Sequence, residues 1–525
     1  MNTPLLDHIR NSLTGKDAVL PGPFGPRPLV YADYTASGRS LDFIEWRMGD
    51  VAAPFYANTH TETSYTGLQT TRLREAARAA IRKAVGAGER HAVIFCGSGA
   101  TAAVNKLVTA IGDNRSGGTR PTVFIGPYEH HSNDLPWREA DVELVRIPLD
   151  EAGQICLGTL EAALAASPAD GLRIGSFSAA SNVTGIKTDM RALGRLLKAH
   201  NAWFLADYAA AGPYVAIDME ADQVDAIFLS PHKFVGGPGA SGVLVADKRL
   251  FGRMPTVPGG GTVSYVTADH HRYVADIERR EEAGTPNVLG DIRAGLAFQL
   301  KADVGPEAIE AAEQHAVARA MAAWARNPAI EVLGPQAAER LAIFSFNIRV
   351  GDKLLHPNLV VALLNDLFGI QARGGCSCAG PYGHELLHID AARAERYEAL
   401  VADGCSLYRP GWARLSFNYF FDEATIDYII AAVDFIGRRG TDFLNLYSAD
   451  AGSGRWVLTG RTVEARFRFD DLCGWRGGKL TQAPAAPEPA ECLALAEALA
   501  DEARRAVPCP QPEIGEPARW FALAG

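Results

Sequence analysis

The chain has 525 residues, 47% of them hydrophobic and 21% charged, and its 51 Lys and Arg against 61 Asp and Glu give a formal net charge of −10. Because a single hydrophobic core stops growing at roughly 250–300 residues, this length predicts more than one domain. The composition argues against disordered and fibrous classes, and the acidic balance without a Lys/Arg-rich tract argues against nucleic acid and anionic membranes as partners.

The N-terminal sequence and the cysteines indicate a cytoplasmic protein. The segment "MNTPLLDHIRNSLTGKD" mixes charges into its apolar residues and lacks the apolar core of a secretory signal. No stretch reaches the roughly 18 uncharged apolar residues that a membrane span needs. The eight cysteines are irregularly spaced in so long a chain, which is typical of free thiols in a reducing compartment.

Between about residues 90 and 250, short β-rich runs alternate with helical patterns. Strands alternating with helices predict an α/β domain whose mostly parallel sheet is covered on both faces. Ligands in such folds bind beyond the carboxyl ends of the strands, so side chains just after these runs are the site candidates. The predicted strands are 91–95, 121–125, 142–147, 172–178, 202–207, 226–230 and 242–246.

The pattern changes after residue 305. An Ala-rich helix over 306–327 precedes the strand candidates "IFSFNIRV" and "ARLSFNYF", which predict a smaller α+β domain. The remainder carries a Pro/Ala linker and one amphipathic helix, "CLALAEALADEARRAV", in which we find no chemistry. We therefore predict an N-terminal segment 1–25, a large domain 26–305, a small domain 306–440 and a C-terminal extension 441–525 of unknown role.

A glycine-rich turn follows the first predicted strand. "HAVIFCGSGATAAVNKL" is typical of a strand, a turn and a helix that starts at Ala100 and Thr101, where free N–H groups and the helix dipole would hold a phosphate. The turn also matches G-x-G-x-x-A through Gly97, Gly99 and Ala102. The acidic residue that a dinucleotide site needs about 20 residues further on is missing, which disfavours that interpretation.

Three side chains after later strands suggest cofactor chemistry. Lys233, in "LSPHKFVGGPG", could form a Schiff base with a carbonyl cofactor if partly desolvated, although a loop lysine is more often a surface residue. Asp207, 26 residues earlier, could pair with a pyridinium nitrogen or simply cap a helix. His130 could lie against a flat ring or move protons. A zinc site with His131 lacks a third ligand at a convincing spacing.

Two further segments leave alternatives open. Asn182, in "SNVTG", suits a donor to a ring hydroxyl or a turn residue. The run "ARGGCSCAGPYGH", residues 372–384, places Cys376 and Cys378 where Gly and Pro predict neither helix nor strand. A metal site with His384, a disulfide, a nucleophile and no particular role all remain open for these thiols.

Together these motifs resemble the class V aminotransferase family of fold-type I pyridoxal 5'-phosphate (PLP) enzymes, most closely its cysteine desulfurase and selenocysteine lyase branch. The resemblance spans about residues 26–440. It implies an α/β PLP-dependent transferase fold, with a mostly parallel seven-stranded sheet and a smaller α+β domain. The motifs are, in order, "ANTH", "GSGATAAVN", "EHHSNDLPW", "SNVTG", the Asp followed at 26 residues by "SPHK", "GGG", "AGTPN", the cysteine loop and "ARLSF".

The resemblance implies a role for each matching residue. Lys233 resembles the Schiff-base lysine, Asp207 the pyridinium partner and His130 the ring-stacking histidine. Arg414 matches the arginine that grips the substrate carboxylate, a bidentate task suited to guanidinium. Further cofactor contacts are implied for Ala100, Thr101, Asn182, Ser230, His232 and, across a homodimer interface, Thr285. Further substrate contacts are implied for His60 and Arg373.

The implied reaction removes sulfur or selenium from L-cysteine or a close analogue and leaves alanine. Cys378 falls at the position of the nucleophile, whose thiolate becomes a persulfide. Cys376 is extra, and would resolve a persulfide, carry a second sulfur or be only a small residue in a tight loop. The reaction also allows a protein sulfur acceptor as a partner.

One departure from the family pattern widens the choice of reaction. Ala210 stands where desulfurases usually have Gln, so the usual hydrogen bond to the cofactor's 3-hydroxyl is missing. The alternatives are another class V reaction on a different amino acid, such as transamination, epimerisation or β-elimination, and a catalytically quiet PLP-binding protein whose C-terminal extension engages a partner.

Overall fold

A computed structural model describes most of the chain. Its residues form two compact units, of which the first comprises the described parts of Met1–Thr14, Tyr34–Gln314 and Ala337–Leu341, and the second those of Gly15–Asp33, His315–Gln336 and Ala342–Gly525. The described residues are 3–59, 61–113, 119–168, 170–461, 467, 469–473, 485–513, 515 and 518–524.

Helices and strands alternate along most of the chain. The α-helices are α1 Thr3–Asn11, α2 Asp42–Arg47, α3 Tyr65–Ala84, α4 Gly99–Asp113, α5 His131–Glu139, α6 Leu157–Ala166, α7 Met190–Ala199, α8 Ile277–Glu281, α9 Val288–Val304, α10 Pro306–Trp324, α11 Pro357–Phe368, α12 Gly380–Leu386, α13 Ala391–Ala402, α14 Glu423–Arg439 and α15 Pro489–Arg505. The strands are β1 Val19–Leu20, β2 Arg27–Pro28, β3 Val30–Tyr31, β4 His91–Cys96, β5 Thr122–Ile125, β6 Glu143–Arg146, β7 Arg173–Ser178, β8 Trp203–Asp207, β9 Ala226–Leu229, β10 Gly242–Asp247, β11 Val263–Val266, β12 His271–Tyr273, β13 Ile330–Val332, β14 Ile343–Val350, β15 Lys353–Leu355, β16 Ile370–Gln371, β17 Arg373–Gly375, β18 Trp412–Ser416, β19 Tyr447–Ala449 and β20 Trp456–Leu458.

The first unit is built on a seven-stranded sheet in the order β4-β10-β9-β8-β7-β5-β6. All neighbours are parallel except β10, which runs antiparallel to both β4 and β9. Strands β4, β5, β9 and β10 are buried along their whole length, as expected where helices cover both faces. The predicted α/β class and mostly parallel seven-stranded sheet are therefore confirmed.

Charged side chains close the outer side of β4, which is an edge strand of this sheet. Glu278 accepts a hydrogen bond from Val93 N at 2.7 Å, and Glu282 accepts one from Phe95 N at 2.7 Å. Arg78, on α3, pairs with Glu282 at 3.0 Å. The carboxylates thus satisfy the N–H groups that an edge strand otherwise offers to another chain.

The second unit contains a five-stranded sheet, β13-β14-β18-β17 with β15 beside β14. One face of β14 contributes Phe344, Phe346 and Ile348 to a hydrophobic core, and α11 and α14 pack onto the same core. The C-terminal extension belongs to this core as well, because α15 buries one face in it. The buried residues of α15 are Cys492, Ala496, Ala500 and Ala503.

The limits of the two units differ from those of the predicted domains 26–305 and 306–440. Residues 15–33 fold with the second unit, since β3 pairs in parallel with β16 through Val30 and Ile370. Residues 337–341 fold with the first, where Leu341 N donates to Gly185 O at 2.8 Å. In the part of the chain that the structure describes, no helix combines the length and hydrophobicity needed to cross a membrane.

Candidate active site

Loops that follow five strands of the first unit line one cavity of about 240 Å³. Gly99 follows β4, His130 follows β5, Ser178 ends β7, Asp207 ends β8 and Ser230 follows β9. Because β4 runs in the same direction as β9, all five lie at the carboxyl edge of the sheet, where ligands of such folds bind. The predicted site residues that this cavity brings together are Ala100, Thr101, His130, Asn182, Asp207, Ser230, His232 and Lys233.

One end of the cavity is suited to an anion. The Ala100 N–H, at the start of α4, donates to Ser230 Oγ at 2.9 Å. Thr101 Oγ1 and Ser132 Oγ share a hydrogen bond of 2.6 Å. Two exchangeable hydroxyl groups and a helix N-terminus attract negative charge, and a phosphate would take over such hydrogen bonds.

The opposite charges of the cavity are Asp207 and Lys233. Asp207 is 4% exposed, and burial raises its pKa, while a 2.7 Å hydrogen bond from Ala209 N and the Lys233 ammonium lower it. Lys233 ends a short 3-10 turn that starts at Pro231, and its N–H donates to Ser230 O at 2.9 Å. A buried carboxyl and a lysine amine therefore line the same small space.

Two histidines complete the wall. Burial, with the Lys233 ammonium, lowers the pKa of His232 to about 4, so its imidazole is neutral at ordinary pH. His130 caps α5 by accepting a hydrogen bond from Ser132 N through Nδ1 at 3.1 Å. The cap fixes the position of the His130 ring, which lines the cavity.

The cavity fits PLP by the chemistry of its donors and by one glycine. Gly99 has a φ of +60°, and a Cβ there would lie 2.8 Å from His232 Cε1 and 3.1 Å from Ser230 Oγ. Glycine is therefore the residue that keeps the space between Gly99, His232 and Ser230 open. Hydroxyl and N–H groups can donate hydrogen bonds to a phosphate. The Asp207 carboxyl can pair with a ring nitrogen, and the Lys233 amine can react with a carbonyl carbon. Ala210, at the position where desulfurases usually have Gln, and Asn182 line the same space. Among the described lining residues there is no glutamine elsewhere that could take over its hydrogen bond.

In the second unit, the two predicted substrate arginines are neighbours. Arg373 on β17 faces Arg414 on β18 in the antiparallel register. Both bind Asp33, at 3.0 Å from Arg373 Nη2 and 3.3 Å from Arg414 Nη2. Arg414 is 4% exposed, and burial lowers its pKa while Asp33 raises it. Two guanidinium groups against one carboxylate leave positive charge for a second carboxylate.

The run 372–384 contains more regular structure than its Gly and Pro content predicts. Arg373–Gly375 is strand β17, and Gly380–Leu386 is helix α12. The prediction of neither helix nor strand is wrong there, because Pro381 lies in the first turn of α12, where proline is tolerated. Only residues 376–379 form a turn between them.

That turn carries both thiols of the C-x-C motif. Cys376 is half-buried and Cys378 is exposed, and neither forms a disulfide. Ser377 and Cys378 have φ values of 53° and 56°, in the left-handed region that non-glycine residues rarely adopt. The turn therefore presents the Cys378 thiol to solvent on a backbone held away from its preferred conformation.

The remaining predicted residues are not brought into the cavity. Thr285 is exposed on the loop between α8 and α9. His60 lies outside the described residues. The residues that the sequence did not single out are Asp33, Glu129, Ser132 and Ser178, although "YADYTASG" and "EHHSNDLPW" are visibly polar runs beside predicted strands. Among the described residues, no group of three or more His, Cys, Asp or Glu is arranged to hold a metal ion.

A family model decides the relationship of this chain to known proteins. The model described as aminotransferase class-V matches residues 30–429. The chain belongs to the class-V aminotransferase family. Enzymes of this family are PLP-dependent, and the resemblance inferred from the sequence motifs is confirmed.

Several similar proteins are named as cysteine desulfurases. A probable cysteine desulfurase of Halalkalibacterium halodurans is 29% identical over 374 residues, which are 70% of this chain and 89% of that protein. A cysteine desulfurase of Salmonella dublin is 30% identical over 360 residues, 67% of this chain and 85% of that protein. The apo structure of a cysteine desulfurase from Thermococcus onnurineus superposes with a TM-score of 0.68 at 22% identity, covering 82% of this chain and 98% of that one, and shows the shared fold.

Proposed function

We propose that this class-V aminotransferase family member is a PLP-dependent enzyme that removes sulfur, or selenium, from L-cysteine or a close analogue and releases alanine. Cys378 is the proposed sulfur-accepting nucleophile. The proposal assigns to this chain the activity for which the similar proteins are named. It also assigns roles to residues that those names do not address.

One observation carries the proposal. One cavity contains a carboxyl, a lysine amine, a histidine ring and an anion-suited end, contributed by Asp207, Lys233, His130 and the start of α4. An amine and a carboxyl serve PLP chemistry in particular, because one holds the cofactor's carbonyl carbon and the other its ring nitrogen.

Each cavity residue has a task toward the cofactor. PLP would supply an electron-accepting ring and a carbonyl carbon that exchanges amines. Asp207 Oδ would accept the N–H of the ring nitrogen and hold its proton there. Ser230 Oγ, Thr101 Oγ1 and the Ala100 N–H would bind the phosphate, and the His130 ring would cover one face and exclude water from it.

Lys233 and Cys378 would act on the substrate. Once displaced by the substrate amine, Lys233 Nζ would take the α-proton. The Cys378 thiolate would attack the substrate sulfur, so that the Cβ–S bond breaks, an Sγ–S bond forms and the β-carbon takes up a proton. Lys233 Nζ would then return a proton to the α-carbon. The products, alanine and a Cys378 persulfide, balance the reactants without an external oxidant.

The arginine pair would bind the substrate carboxylate. Arg414, with Arg373 beside it, presents a charged fork whose present partner is Asp33. A substrate carboxylate would compete with Asp33 for these donors. We further propose that the chain acts as a homodimer in which Thr285 reaches the partner's phosphate site, and that the persulfide passes to a protein acceptor.

The test is a product assay with L-cysteine, L-selenocysteine and other β-substituted amino acids. Wild type is compared with Cys378→Ala and Cys376→Ala, and both alanine and sulfide are measured. We expect L-cysteine turnover to fall by at least about 100-fold in Cys378→Ala, because the nucleophile is lost, and to persist in Cys376→Ala. Unchanged turnover in Cys378→Ala would remove its proposed role.

Ala210 favours one competing function, action on a different amino acid by a class-V enzyme. It lines the cavity without a side chain able to reach a ring hydroxyl. In the same assay, this competing function predicts product from another amino acid and none from L-cysteine. Faster turnover of L-cysteine than of every other substrate would rule it out.

A further inference from the structure

A buried carboxyl lies directly behind the wall of the cavity. Glu129, which precedes His130, is 1% exposed. Its oxygens accept hydrogen bonds from Ser178 N at 3.1 Å, Ser178 Oγ at 2.7 Å and Asn133 Nδ2 at 2.7 Å. Ser178 is itself part of the cavity lining. Glu129 therefore binds the cavity wall from outside, through three donors and no lysine or arginine within the described chain.

The same network fixes the segment that carries His130. Asn133 Oδ1 accepts hydrogen bonds from Ser176 Oγ at 2.7 Å and from Trp137 Nε1 at 3.4 Å. Ser176 and Ser178 both belong to β7, so the start of α5 is tied to a central strand of the sheet. This accounts for three positions of "EHHSNDLPW", Glu129, Asn133 and Trp137, to which no role in the reaction has been given.

The charge of Glu129 is coupled to Asp207. Burial, the largest effect, and the Asp207 carboxylate raise the pKa of Glu129, the three hydrogen bonds lower it, and the net result is a pKa of about 7. The Lys233 ammonium also acts on Asp207 and lowers its pKa. Two carboxyls in one buried region resist simultaneous ionisation, so the state of one affects the other.

Other charged groups near Glu129 already have partners. Asp134, on α5, forms ion pairs with Arg138 at 2.6 Å and with Arg146 at 3.0 Å. Strand β5 carries no titratable side chain, and Arg173, which begins β7, donates to the carbonyl oxygens of His200 and Ser167. Asp207 lines the cavity and its charge acts on Glu129, so it is a titratable neighbour through which Glu129 can influence the cavity, and His130, the next residue, lines the same cavity.

We propose that Glu129 is a positioning residue for the reaction: it fixes His130 and Ser178 in the cavity wall, and its proton controls the negative charge behind Asp207. This inference rests on the proposed function. With a cationic ring nitrogen on Asp207, ionisation of Glu129 adds a second negative charge and strengthens the hold on that nitrogen's proton. Protonation of Glu129 removes the charge and leaves the hydrogen-bonded frame in place.

The first test is a pH titration of the visible absorbance of the PLP-loaded protein. Glu129→Gln keeps the side-chain shape and removes the ionisable proton, and Glu139→Gln changes an exposed carboxyl at the end of α5, the helix that follows Glu129. We expect Glu129→Gln to shift the titration midpoint by roughly half a pH unit or more, as for other buried neighbouring charges, and Glu139→Gln to match wild type. A Glu129→Gln titration that overlays the wild-type curve would overturn the coupling.

The second test follows the carboxyl itself without cofactor. Infrared difference spectra between full-length wild type and Glu129→Gln, both freed of PLP, are recorded across about pH 5 to 9. The inference requires the band of a protonated carboxyl, lost with a midpoint near the pKa of about 7. A carboxylate band at every pH contradicts it, and this outcome is independent of whether the chain is a desulfurase.

A third variant keeps the inference testable if Glu129→Gln does not fold. Ser178→Ala removes one of the donors that stabilise the ionised carboxyl. Infrared difference spectra between successive pH values, recorded separately for wild type and Ser178→Ala, need no Glu129 variant. We expect the midpoint at which the protonated-carboxyl band is lost to lie higher in Ser178→Ala, because fewer hydrogen bonds then favour the charged form. An unmoved midpoint shows that this network does not control the proton, and overturns the proposal.

Discussion

Gly99 is the residue whose size most directly limits the proposed phosphate end. Its φ is +60°, and a Cβ at this position would lie only 2.8 Å from His232 Cε1, so both the backbone and the available space oppose a side chain. We expect Gly99→Ala to weaken PLP binding by about tenfold or more, a loss of about 1.4 kcal/mol, as measured by fluorescence titration of the apoprotein. Gly112→Ala, later in α4 with no atom within 4 Å of its Cβ, is the matched control.

The outcome for the control is set by helix propensity. Alanine is favoured over glycine in a helix by about 1 kcal/mol, so Gly112→Ala should bind PLP like wild type and be slightly more stable. Equal PLP affinity in the two variants would mean that the space around Gly99 does not bind the cofactor.

Lys301 is a second residue whose environment is unusual. Its ammonium is buried on α9 and donates to the carbonyl oxygens of Gly212, at 2.6 Å, and Val215. Burial lowers the pKa of Lys301 to about 7. Gly212 belongs to the turn that follows Asp207, and Lys301 Nζ lies 5.9 Å from the ring centroid of Phe234, next to Lys233. Lys301 therefore ties together the two turns that carry the main site residues.

The lowered pKa makes stability depend on pH. Between about pH 7 and pH 10 the unfolded chain binds the Lys301 proton and the folded chain does not, so this group makes folding more favourable as pH rises. The difference in melting temperature between wild type and Lys301→Met should change steadily over that interval, with wild type gaining stability relative to the variant as pH rises. Lys248→Met, at an exposed lysine that donates to Glu89 O at 2.8 Å, should show no such trend. Parallel curves for wild type and Lys301→Met would contradict the assignment.

Residues of the site were predictable where a strand end pointed to them. Asp207, Ser230 and Lys233 follow apolar runs whose strand character is plain in the sequence. Asp33 was not predictable, since its partners Arg373 and Arg414 are 340 and 381 residues away along the chain. Glu129 lies inside a recognised motif, but its burial results from packing against strand β7. No local sequence pattern predicts that packing.

At the level of elements, α3, α8 and the edge strand β4 depend on one buried carboxylate. Glu282 is 7% exposed in its side chain, accepts a hydrogen bond from Phe95 N at 2.7 Å and pairs with Arg78 at 3.0 Å. Breaking a buried pair by removing one charge costs about 3–5 kcal/mol, so Glu282→Gln should be strongly destabilised. Thermal unfolding with cofactor absent measures the effect.

Glu75 provides the control for the same arginine. Its side chain is 53% exposed, and its Oε2 lies 3.1 Å from Arg78 Nε. An exposed pair contributes at most about 1 kcal/mol, so Glu75→Gln should be close to wild type. Similar losses in the two variants would mean that burial does not distinguish these carboxylates.

The elements themselves were predicted unevenly. Apolar runs predicted the strands of the first sheet to within one or two residues. A strand buried on both faces is recognisable because it is an almost continuous hydrophobic run. The strand predicted over "ARLSFNYF" is shorter, Trp412–Ser416. The turn at Cys376 and Cys378 depends on left-handed backbone at Ser377 and Cys378. It could not be predicted, because neither serine nor cysteine favours that conformation.

Over the whole molecule, the C-terminal extension contributes to stability as part of a core. Ala500 on α15 is fully buried, and Ala498 on the same helix is exposed to solvent. Ala500→Leu should lower stability by about 1–3 kcal/mol through overpacking, while Ala498→Leu should stay within about 0.5 kcal/mol of wild type. Equal melting temperatures for the two variants would show that α15 does not pack as described.

Mass mapping of sulfur on the cysteine turn tests the central claim most directly. The PLP-loaded protein is mixed with L-cysteine in the absence of reductant, alkylated and digested, and the peptide that contains Cys376 and Cys378 is analysed. We predict that one additional sulfur atom is carried by Cys378 in wild type and in Cys376→Ala. Alanine formed with no added sulfur on Cys378 would contradict the account.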